Sequence, residues 1–350
     1  MKNKIYISFF LFILMTVIPL ISIGRGEKSM LVTAYSDIKQ STSESIEVLK
    51  SQEKVETKKP KEESQIQIKT EDKSIFKLLD KNHDNVIEVS DKEFLYGAVV
   101  CEMSPNFELE ALKAQAVATY TYFCRERNSI RETPRESLKG ADFEVDTENW
   151  KYYTTKENMQ SRWKDNFDYY YKRVTDAVDA VFGEVIKTEA GEPILAAYHA
   201  ISGGNTEKCE DVFGGNVSYL AAVASPYDKL APGYNTKVEI NVDEFKDIIM
   251  SNYKDAYFDD DYSKWIGDVK RTESGMVKEI NIGGINISGQ EIRNLFSLRS
   301  ANFSLELVEN NFVFNVKGCG HGVGMSQYGA EYMAKQGASY SEILNWYYKV

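Results

Sequence analysis

An uncharged apolar run near the amino end divides the chain more sharply than any other feature. Residues 5–23 (IYISFFLFILMTVIPLISI) contain no charged side chain, and Lys2 and Lys4 precede them. At about 1.5 Å per residue in a helix, this run is just long enough to cross a bilayer. No small-x-small cleavage site follows it, which favours an uncleaved anchor in residues 1–28 over a signal peptide. The two lysines predict a cytoplasmic amino end and an extracytoplasmic remainder.

The composition changes twice after this run. Residues 29–74 are rich in Ser, Glu, Lys, Thr and Gln and almost free of aromatic side chains, which predicts a disordered tether. Aromatic residues return at Phe76, so the folded domain is expected to span residues 75–350. Helix-like stretches and a strand hairpin near residues 184–199 predict an α+β fold, with mixed helices and antiparallel strands forming a cleft. The net charge of −11 argues against nucleic acid as a partner.

A capping-box pattern locates the first helix of this domain. Ser90 and Glu93 have the S-x-x-E spacing of a helix amino end, which predicts a helix from Asp91 to about Glu102. Glu102 extends the apolar face of that helix and lies at its carboxyl end. Partial burial and the helix dipole would both raise the pKa of this carboxyl group. Such a group can donate a proton near neutral pH, whereas a frayed helix end would leave Glu102 in solvent.

Pro105 separates this helix from a second helical pattern. Lys113 and Gln115 lie near the start of that pattern and could line a cleft beside Glu102, or simply face solvent. Trp and Tyr residues are frequent between residues 130 and 170. Aromatic side chains on a polar background suit carbohydrate binding, although ordinary burial is the commoner reason for them.

Two patterns suggest metal sites without completing them. Asp80, Asn82 and Asp84 occupy the first ligand positions of a calcium loop, but the position that needs glycine holds asparagine, which favours a simple turn. His199 and Cys209 could bind zinc, which usually takes three or four protein ligands. No CxxC or HExxH motif supplies the others, so no cofactor is expected beyond this possible zinc.

Two glycine-rich segments complete the candidate cleft. Ser202-Gly203-Gly204 predicts a tight turn that can expose backbone N–H groups. Residues 318–324 (GCGHGVG) predict a loop that a ligand or another backbone can approach closely. The polar side chains on or just after this loop are His321, Ser326, Gln327 and Tyr328.

Four segments resemble the stage II sporulation protein D family, in the family's order, from about residue 87 to the carboxyl end. They are FLYGAVVCEMSPNFELEALKAQAVATYTY, AAYHAISGGNTEKCEDVFGG, ISGQEIRNLFSLRSANFSLE and GCGHGVGMSQYGAEYMAKQG. The resemblance implies a membrane-anchored lytic transglycosylase that cleaves peptidoglycan glycan strands to 1,6-anhydro-muramyl products during forespore engulfment in sporulation. It also implies a location at the cell membrane, with other engulfment wall hydrolases and membrane proteins as partners.

The resemblance also assigns roles to particular residues. The glutamate of the family's E-M-P motif falls on Glu102, as the single acid and base, and Ser104 interrupts that motif here. The sugar's own 6-hydroxyl group attacks in this reaction, so no second carboxylate is required. Tyr120 replaces an arginine of the family's A-R-T-Y pattern. The substrate-binding positions implied by the matched motifs are Lys113, Gln115, Tyr120, Ser202, Gly203, Gly204, Thr206, His321, Ser326, Gln327 and Tyr328.

Two alternatives to this activity remain open. Some relatives are described as enhancers of cell-wall amidases, which would make the chain a non-catalytic enhancer or binding module. A two-carboxylate glycosidase is the other alternative, with Asp142, Glu144 and Asp211 as candidates for a second carboxylate beside Glu102. The carboxyl groups of such a pair lie roughly 5–10 Å apart.

Overall fold

The computed structural model describes residues 74–350, which belong to one compact unit. The predicted anchor (1–28) and all but the last residue of the predicted tether (29–74) lie outside the described residues. Between residues 74 and 350, no helix combines the length and the apolar composition that a membrane span requires. Helices and several mostly antiparallel sheets alternate in this part of the chain, which confirms the α+β class.

The secondary structure is spread over many short elements. The helices are α1 (Asp91–Glu102), α2 (Leu109–Glu132), α3 (Lys156–Trp163), α4 (Phe167–Val181), α5 (Cys209–Val212), α6 (Val242–Asn252), α7 (Gly289–Leu295), α8 (Gln327–Lys335) and α9 (Tyr340–Tyr347). The strands are β1 (Ile75–Asp80), β2 (Asn85–Ser90), β3 (Phe143–Val145), β4 (Tyr198–His199), β5 (Asn235–Asn241), β6 (Ile266–Arg271), β7 (Val277–Ile282), β8 (Ile285–Ser288), β9 (Phe303–Val308), β10 (Asn311–Lys317) and β11 (Met325–Ser326). Residues 235–317 form a second lobe, and the remaining described residues form the first lobe.

A small sheet and two central helices organise the first lobe. Strand β1 pairs with β2 as an antiparallel hairpin and with β3 in parallel. Helix α1 begins directly after β2, because the Ser90 side chain accepts the Glu93 N–H and caps the helix. The helix predicted from Asp91 to about Glu102 is therefore confirmed. Helix α2 is the centre of this lobe, packing against α1, α4, α8 and α9.

The second lobe has its own apolar core. It contains two antiparallel sheets, with strand orders β5-β10-β9 and β6-β7-β8. Helix α6 packs against β5 and β10, and helix α7 packs against β7 and β8. Aromatic side chains fill the space between them, among them Phe245, Trp265, Phe312 and Phe314. The two ends of the lobe lie side by side, since the Gly318 N–H donates to the Tyr234 carbonyl oxygen at 2.8 Å.

A short parallel pair brings distant parts of the first lobe together. Strand β11 pairs with β4, with Met325 opposite Tyr198 and Ser326 opposite His199. The predicted turn after residue 199 and the predicted glycine loop before residue 325 therefore meet, although more than one hundred residues separate them.

Candidate active site

Glu102 is the last residue of α1 and its side chain is half-buried. Burial raises the pKa of its carboxyl group from 4.5 to about 7. Burial alone causes this change, with no hydrogen bond or opposite charge from residues 74–350 to offset it. Near pH 7 the group is therefore divided between its protonated and ionised forms, so it can both donate and accept a proton.

Two half-buried tyrosines lie near this carboxyl group. Burial raises the pKa of Tyr198 and Tyr122 well above the ordinary value, and the charge of Glu102 raises both further. Both phenol groups therefore keep their protons at neutral pH and remain hydrogen-bond donors. The site thus contains one titrating carboxyl group beside two neutral hydroxyl donors.

A chain of side-chain hydrogen bonds reaches this site from the glycine-rich carboxyl segment. The Gln327 amide donates to the Gln115 carbonyl oxygen at 3.3 Å, and the Gln115 amide donates to the Thr119 hydroxyl oxygen at 2.9 Å. The Thr119 side chain in turn hydrogen-bonds with the Tyr198 hydroxyl group. Because Gln115 and Thr119 are fully buried, these bonds fix Tyr198 beside Glu102.

The glycine loop accommodates another segment of backbone. Its glycines 318, 320, 322 and 324 all have positive φ angles, between 73° and 109°. A Cβ atom on Gly318 would lie 2.7 Å from the Ile201 carbonyl oxygen, and one on Gly324 would lie 2.0 Å from that of Ala197. The sequence left open whether a ligand or another backbone approaches this loop. The structure shows the close approach of a backbone, that of residues 197–202.

Asp228 holds the serine turn (Ser202-Gly203-Gly204) against the start of α8. One carboxylate oxygen accepts the Ser202 N–H at 2.8 Å, and the other accepts the Ser326 O–H at 2.9 Å. Ser326 also caps α8 by accepting the Gly329 N–H. Ser202 and Ser326 are both fully buried. Their polar groups are therefore satisfied within the protein, and sequence reasoning missed the carboxylate that joins them.

The rest of the serine turn is also engaged internally. A Cβ atom on Gly203 would lie 2.2 Å from the Asn302 side-chain nitrogen, and Gly204 has a φ angle of 109°. The Thr206 hydroxyl oxygen accepts the Val223 N–H at 2.9 Å. These residues fix the path of the chain between β4 and the second lobe.

Two buried imidazoles tie the glycine loop to β4. His321 accepts the Val323 N–H at Nδ1, so the proton of the neutral ring is on Nε2, and the ring also hydrogen-bonds to the backbone of Tyr198. His199 contacts the Val323 carbonyl oxygen through Nδ1 at 3.1 Å, and its buried Nε2 has no hydrogen-bond partner in the described part of the chain. Burial lowers the pKa of both rings, to about 4 for His199, so both are neutral at pH 7.

The two metal sites considered from the sequence do not assemble among the described residues. His199 would present Nε2 in the form that binds zinc, but among residues 74–350 no group of three or more His, Cys, Asp or Glu side chains is placed to hold a metal ion. The residues present therefore do not fit the zinc suggested by His199 and Cys209. In the segment that resembles a calcium loop, Asp80 accepts the Asn82 N–H and the Thr147 hydroxyl, which stabilises the simple turn favoured by the sequence.

Three other predicted residues lie in different places. Lys113 pairs with Glu110 at 2.6 Å, on the side of α2 that faces Tyr340. Tyr120 is buried and donates to Asp91 at 2.7 Å, at the opposite end of α1 from Glu102. The structure therefore brings neither residue to the Glu102 carboxyl group. Tyr328 is half-buried, and its ring packs edge-on against Phe107, in the loop that follows Glu102, at 5.0 Å between centroids.

The candidates for a second carboxylate are engaged or exposed elsewhere. Asp142 is buried and forms a two-pronged ion pair with Arg131 at 2.7 and 2.9 Å. Asp211 pairs with Lys278 at 2.8 Å, and Glu144 is exposed on β3. None of the three is among the groups that alter the pKa of Glu102, so the described residues provide no close carboxylate pair there.

Sequence reasoning placed Glu102 correctly at the end of α1 but missed the residues that surround it. Tyr198 lies just before the serine turn, one residue before His199 on a strand. Because alternate strand residues face opposite sides, this position is the sequence signal that could have identified Tyr198. Thr119 lies one helical turn after Gln115, which is the spacing of neighbours on one helix face.

Comparison with known proteins identifies relatives that match across both lobes. The family model described as "Stage II sporulation protein" (SpoIID) matches residues 80–187. Stage II sporulation protein D of Bacillus subtilis (strain 168) is 33% identical over 74% of this chain and 72% of its own length. The Bacillus amyloliquefaciens protein of that name is 33% identical over 77% and 75%. A protein named amidase enhancer, from Bacillus subtilis (strain 168), is 26% identical over 73% of this chain and 39% of its own length. The chain belongs to the stage II sporulation protein D family.

Proposed function

We propose that this protein is a peptidoglycan lytic transglycosylase of sporulation, with Glu102 as its acid and base. The observation that carries the proposal is the half-buried Glu102 carboxyl group, whose pKa of about 7 lets it act in both protonation states. The relatives named stage II sporulation protein D support the sporulation context.

The proposed reaction needs one carboxyl group. Protonated Glu102 donates its proton to the glycosidic oxygen, and the bond from that oxygen to the muramyl anomeric carbon breaks. The Glu102 carboxylate then takes the proton of the muramyl 6-hydroxyl group as that oxygen bonds to the anomeric carbon. The product ends in a 1,6-anhydro sugar, no water is consumed, and Glu102 is protonated again.

The neighbouring residues suit this sequence of proton transfers. Tyr198 is held beside Glu102 through Thr119 and Gln115, and its neutral hydroxyl group is available to stabilise the ionised carboxylate or to orient a sugar oxygen. Burial around Glu102 favours the protonated acid that begins the reaction.

The proposed cellular setting follows from the amino-terminal sequence. We propose that residues 1–28 anchor the protein in the cell membrane and that residues 29–74 tether the catalytic domain on the extracytoplasmic side. Other wall hydrolases and membrane proteins of engulfment are the proposed partners, and peptidoglycan strands are the substrate.

A second candidate function is supported by one comparison. The relative named amidase enhancer suggests a non-catalytic role in which the same cleft binds the wall and stimulates an amidase. Mass spectrometry of the soluble products from purified sacculi separates the two functions. The purified chain alone should release 1,6-anhydro-muramyl products. Release of products only when an amidase is added, without anhydro ends, would instead support the enhancer.

A further inference from the structure

Four aromatic rings form a continuous strip on one flank of the first lobe. Successive centroids of Trp150, Trp163, Tyr170 and Tyr169 lie 5.7, 5.5 and 5.6 Å apart. None of these side chains is fully buried, and Tyr169 exposes 59% of its surface. The Arg162 guanidinium lies over the Trp150 ring at 4.3 Å. We call these four residues the aromatic strip.

The aromatic strip lies alongside the segment that carries Glu102. Arg173, in the same helix as Tyr169 and Tyr170, donates to two carbonyl oxygens of residues 105–107 at 2.7 Å each. At the other end, the charge of Arg162 acts on the Cys101 thiol, partly offsetting the rise in pKa that burial causes. The strip itself reaches this segment at Tyr170, whose hydroxyl oxygen accepts the Asn106 side-chain N–H at 3.5 Å. Its two neighbouring arginines thus act on residues before and after Glu102 in the chain.

The backbone around the aromatic strip is held in an unfavourable conformation. Trp150, Tyr152 and Lys164 have φ angles of 58°, 68° and 49°, which bulky side chains rarely adopt. Two backbone hydrogen bonds between Asp146 and Lys151 close the loop and hold Trp150 near its end. Strain of this kind persists where the surrounding structure imposes it, and it is concentrated at ligand sites.

The charge near the aromatic strip differs from that of the whole protein. Residues 150–173 contain six Lys or Arg residues and three Asp or Glu residues, whereas the chain has a net charge of −11. Peptidoglycan combines sugar rings, whose C–H faces pack against aromatic rings, with carboxylates on its stem peptides, or on its lactyl groups once an amidase has removed those peptides. A row of aromatic faces with cations beside it matches both features.

We propose that the aromatic strip is a subsite for sugar rings of the glycan strand next to those on which Glu102 acts. This inference rests on the proposed function for the identity of the polysaccharide. Sugar rings stack on the accessible faces of Trp163, Tyr169 and Tyr170, and Arg162 contacts a carboxylate of the same strand. The strip thereby holds the strand in place while the bond at Glu102 is cleaved.

Binding is tested with the full chain in detergent micelles. All variants carry Glu102→Gln, so that the strand is not digested, and retention is measured on purified sacculi and on glycan strands freed of stem peptides by an amidase. Trp163→Ala and Tyr169→Ala are each expected to weaken retention on both materials about two- to tenfold. The matched control is Tyr257→Ala, which removes a 75% exposed ring from the second lobe and should bind like the parent.

A thermal melt of each variant separates lost binding from lost folding. Tyr169 is mostly exposed, so its replacement tests the subsite even where Trp163→Ala is unstable. Unchanged retention of a folded Tyr169→Ala variant would overturn the subsite, as would loss of all binding once the stem peptides are removed. Product release by the parent with Glu102 intact is measured separately. If it yields no anhydro sugar, the proposed function fails, while weaker glycan retention in the strip variants still supports the subsite.

Discussion

Replacing Glu102 with glutamine separates proton transfer from every other property of the site. Glu102→Gln keeps the size and the hydrogen-bonding reach of the side chain, but an amide cannot exchange a proton at neutral pH. General acid–base catalysis contributes about a hundredfold to ten-thousandfold to rates, so the release of anhydro-muramyl products should fall by that amount. In the wild type, the rate of the protonation step should decrease as the pH rises above about 7, because the acid ionises.

The same substitution should change stability in a pH-dependent direction. The folded protein raises the pKa of Glu102 from 4.5 to about 7, so it favours the protonated form. This contribution to the stability of the folded protein is fully present below pH 4.5 and is lost as the pH rises through 7. The change of the Glu102 pKa corresponds to at most about 3 kcal/mol in the free energy of unfolding, and solvent around this half-buried group reduces that value. Glu102→Gln should therefore match the wild type near pH 4 and be the more stable protein near pH 8.

The assay combines product analysis with denaturation of the same samples. Anhydro-muramyl products from purified sacculi are counted by mass spectrometry, and urea unfolding is followed at pH 4 and pH 8. The matched control is Glu144→Gln, which changes an exposed carboxylate on β3 that was a candidate for the second catalytic group. It should leave both measurements unchanged.

Two results would refute this reasoning. Product release from Glu102→Gln at the wild-type rate would remove Glu102 from catalysis and favour the enhancer function. A large loss of stability at both pH values would show that the carboxyl group is needed for folding, contrary to its lack of hydrogen-bond partners among residues 74–350.

Three further predictions follow from the packing. Asp228→Ala removes the acceptor of two buried donors, of which the Ser326 hydroxyl keeps only a 3.4 Å contact with the Ala200 carbonyl oxygen, so urea unfolding should show a loss of about 2–4 kcal/mol. A loss below about 0.5 kcal/mol would contradict the bridging role. Gly324→Ala places a Cβ atom 2.0 Å from the Ala197 carbonyl oxygen and should largely prevent folding. Its control is Gly337→Ala, at a positive φ with open space, which should reduce the free energy of unfolding by only about 1 kcal/mol. Equal thermal melts of the two variants would contradict the close approach. A chain that begins at residue 74 keeps the buried Phe76 and should unfold cooperatively in calorimetry, whereas removal of β1 should abolish the transition.

Local signals in the sequence were enough to locate α1 and its final carboxylate. The Ser90 side chain caps the helix through a residue three positions away, and helical periodicity then places Glu102 on the apolar side. The last helix, α9, is also capped locally, by a reciprocal capping box between Ser339 and Glu342. Such features depend on neighbours in the chain, which is why they can be predicted without the fold.

The surroundings of Glu102 depend on contacts between distant residues. Tyr198 is held by Thr119, and Asp228 joins two serines that are 124 positions apart by their numbers, 202 and 326. No pattern near Asp228 distinguishes it from an ordinary polar turn residue. The glycine loop was correctly predicted to admit a close neighbour, but the sequence could not decide between a ligand and the backbone of residues 197–202.

The second lobe leaves and rejoins the first lobe at neighbouring points, and it also contacts the segments that surround Glu102. The Thr272 hydroxyl donates to Glu207 at 3.0 Å, and the Gly320 N–H donates to the Arg299 carbonyl oxygen at 2.9 Å. The two ends of the lobe are joined by the hydrogen bond from Gly318 to Tyr234, so a short linker could close the gap that its removal leaves. The entropy of closing a loop grows only logarithmically with its length, so inserting a large segment there adds little to the cost of folding the first lobe. Residues 235–317 therefore behave as a cassette within one loop. Because this cassette also hydrogen-bonds to Glu207 and Gly320, a segment that replaced it would have to supply equivalent contacts for the site around Glu102 to stay the same.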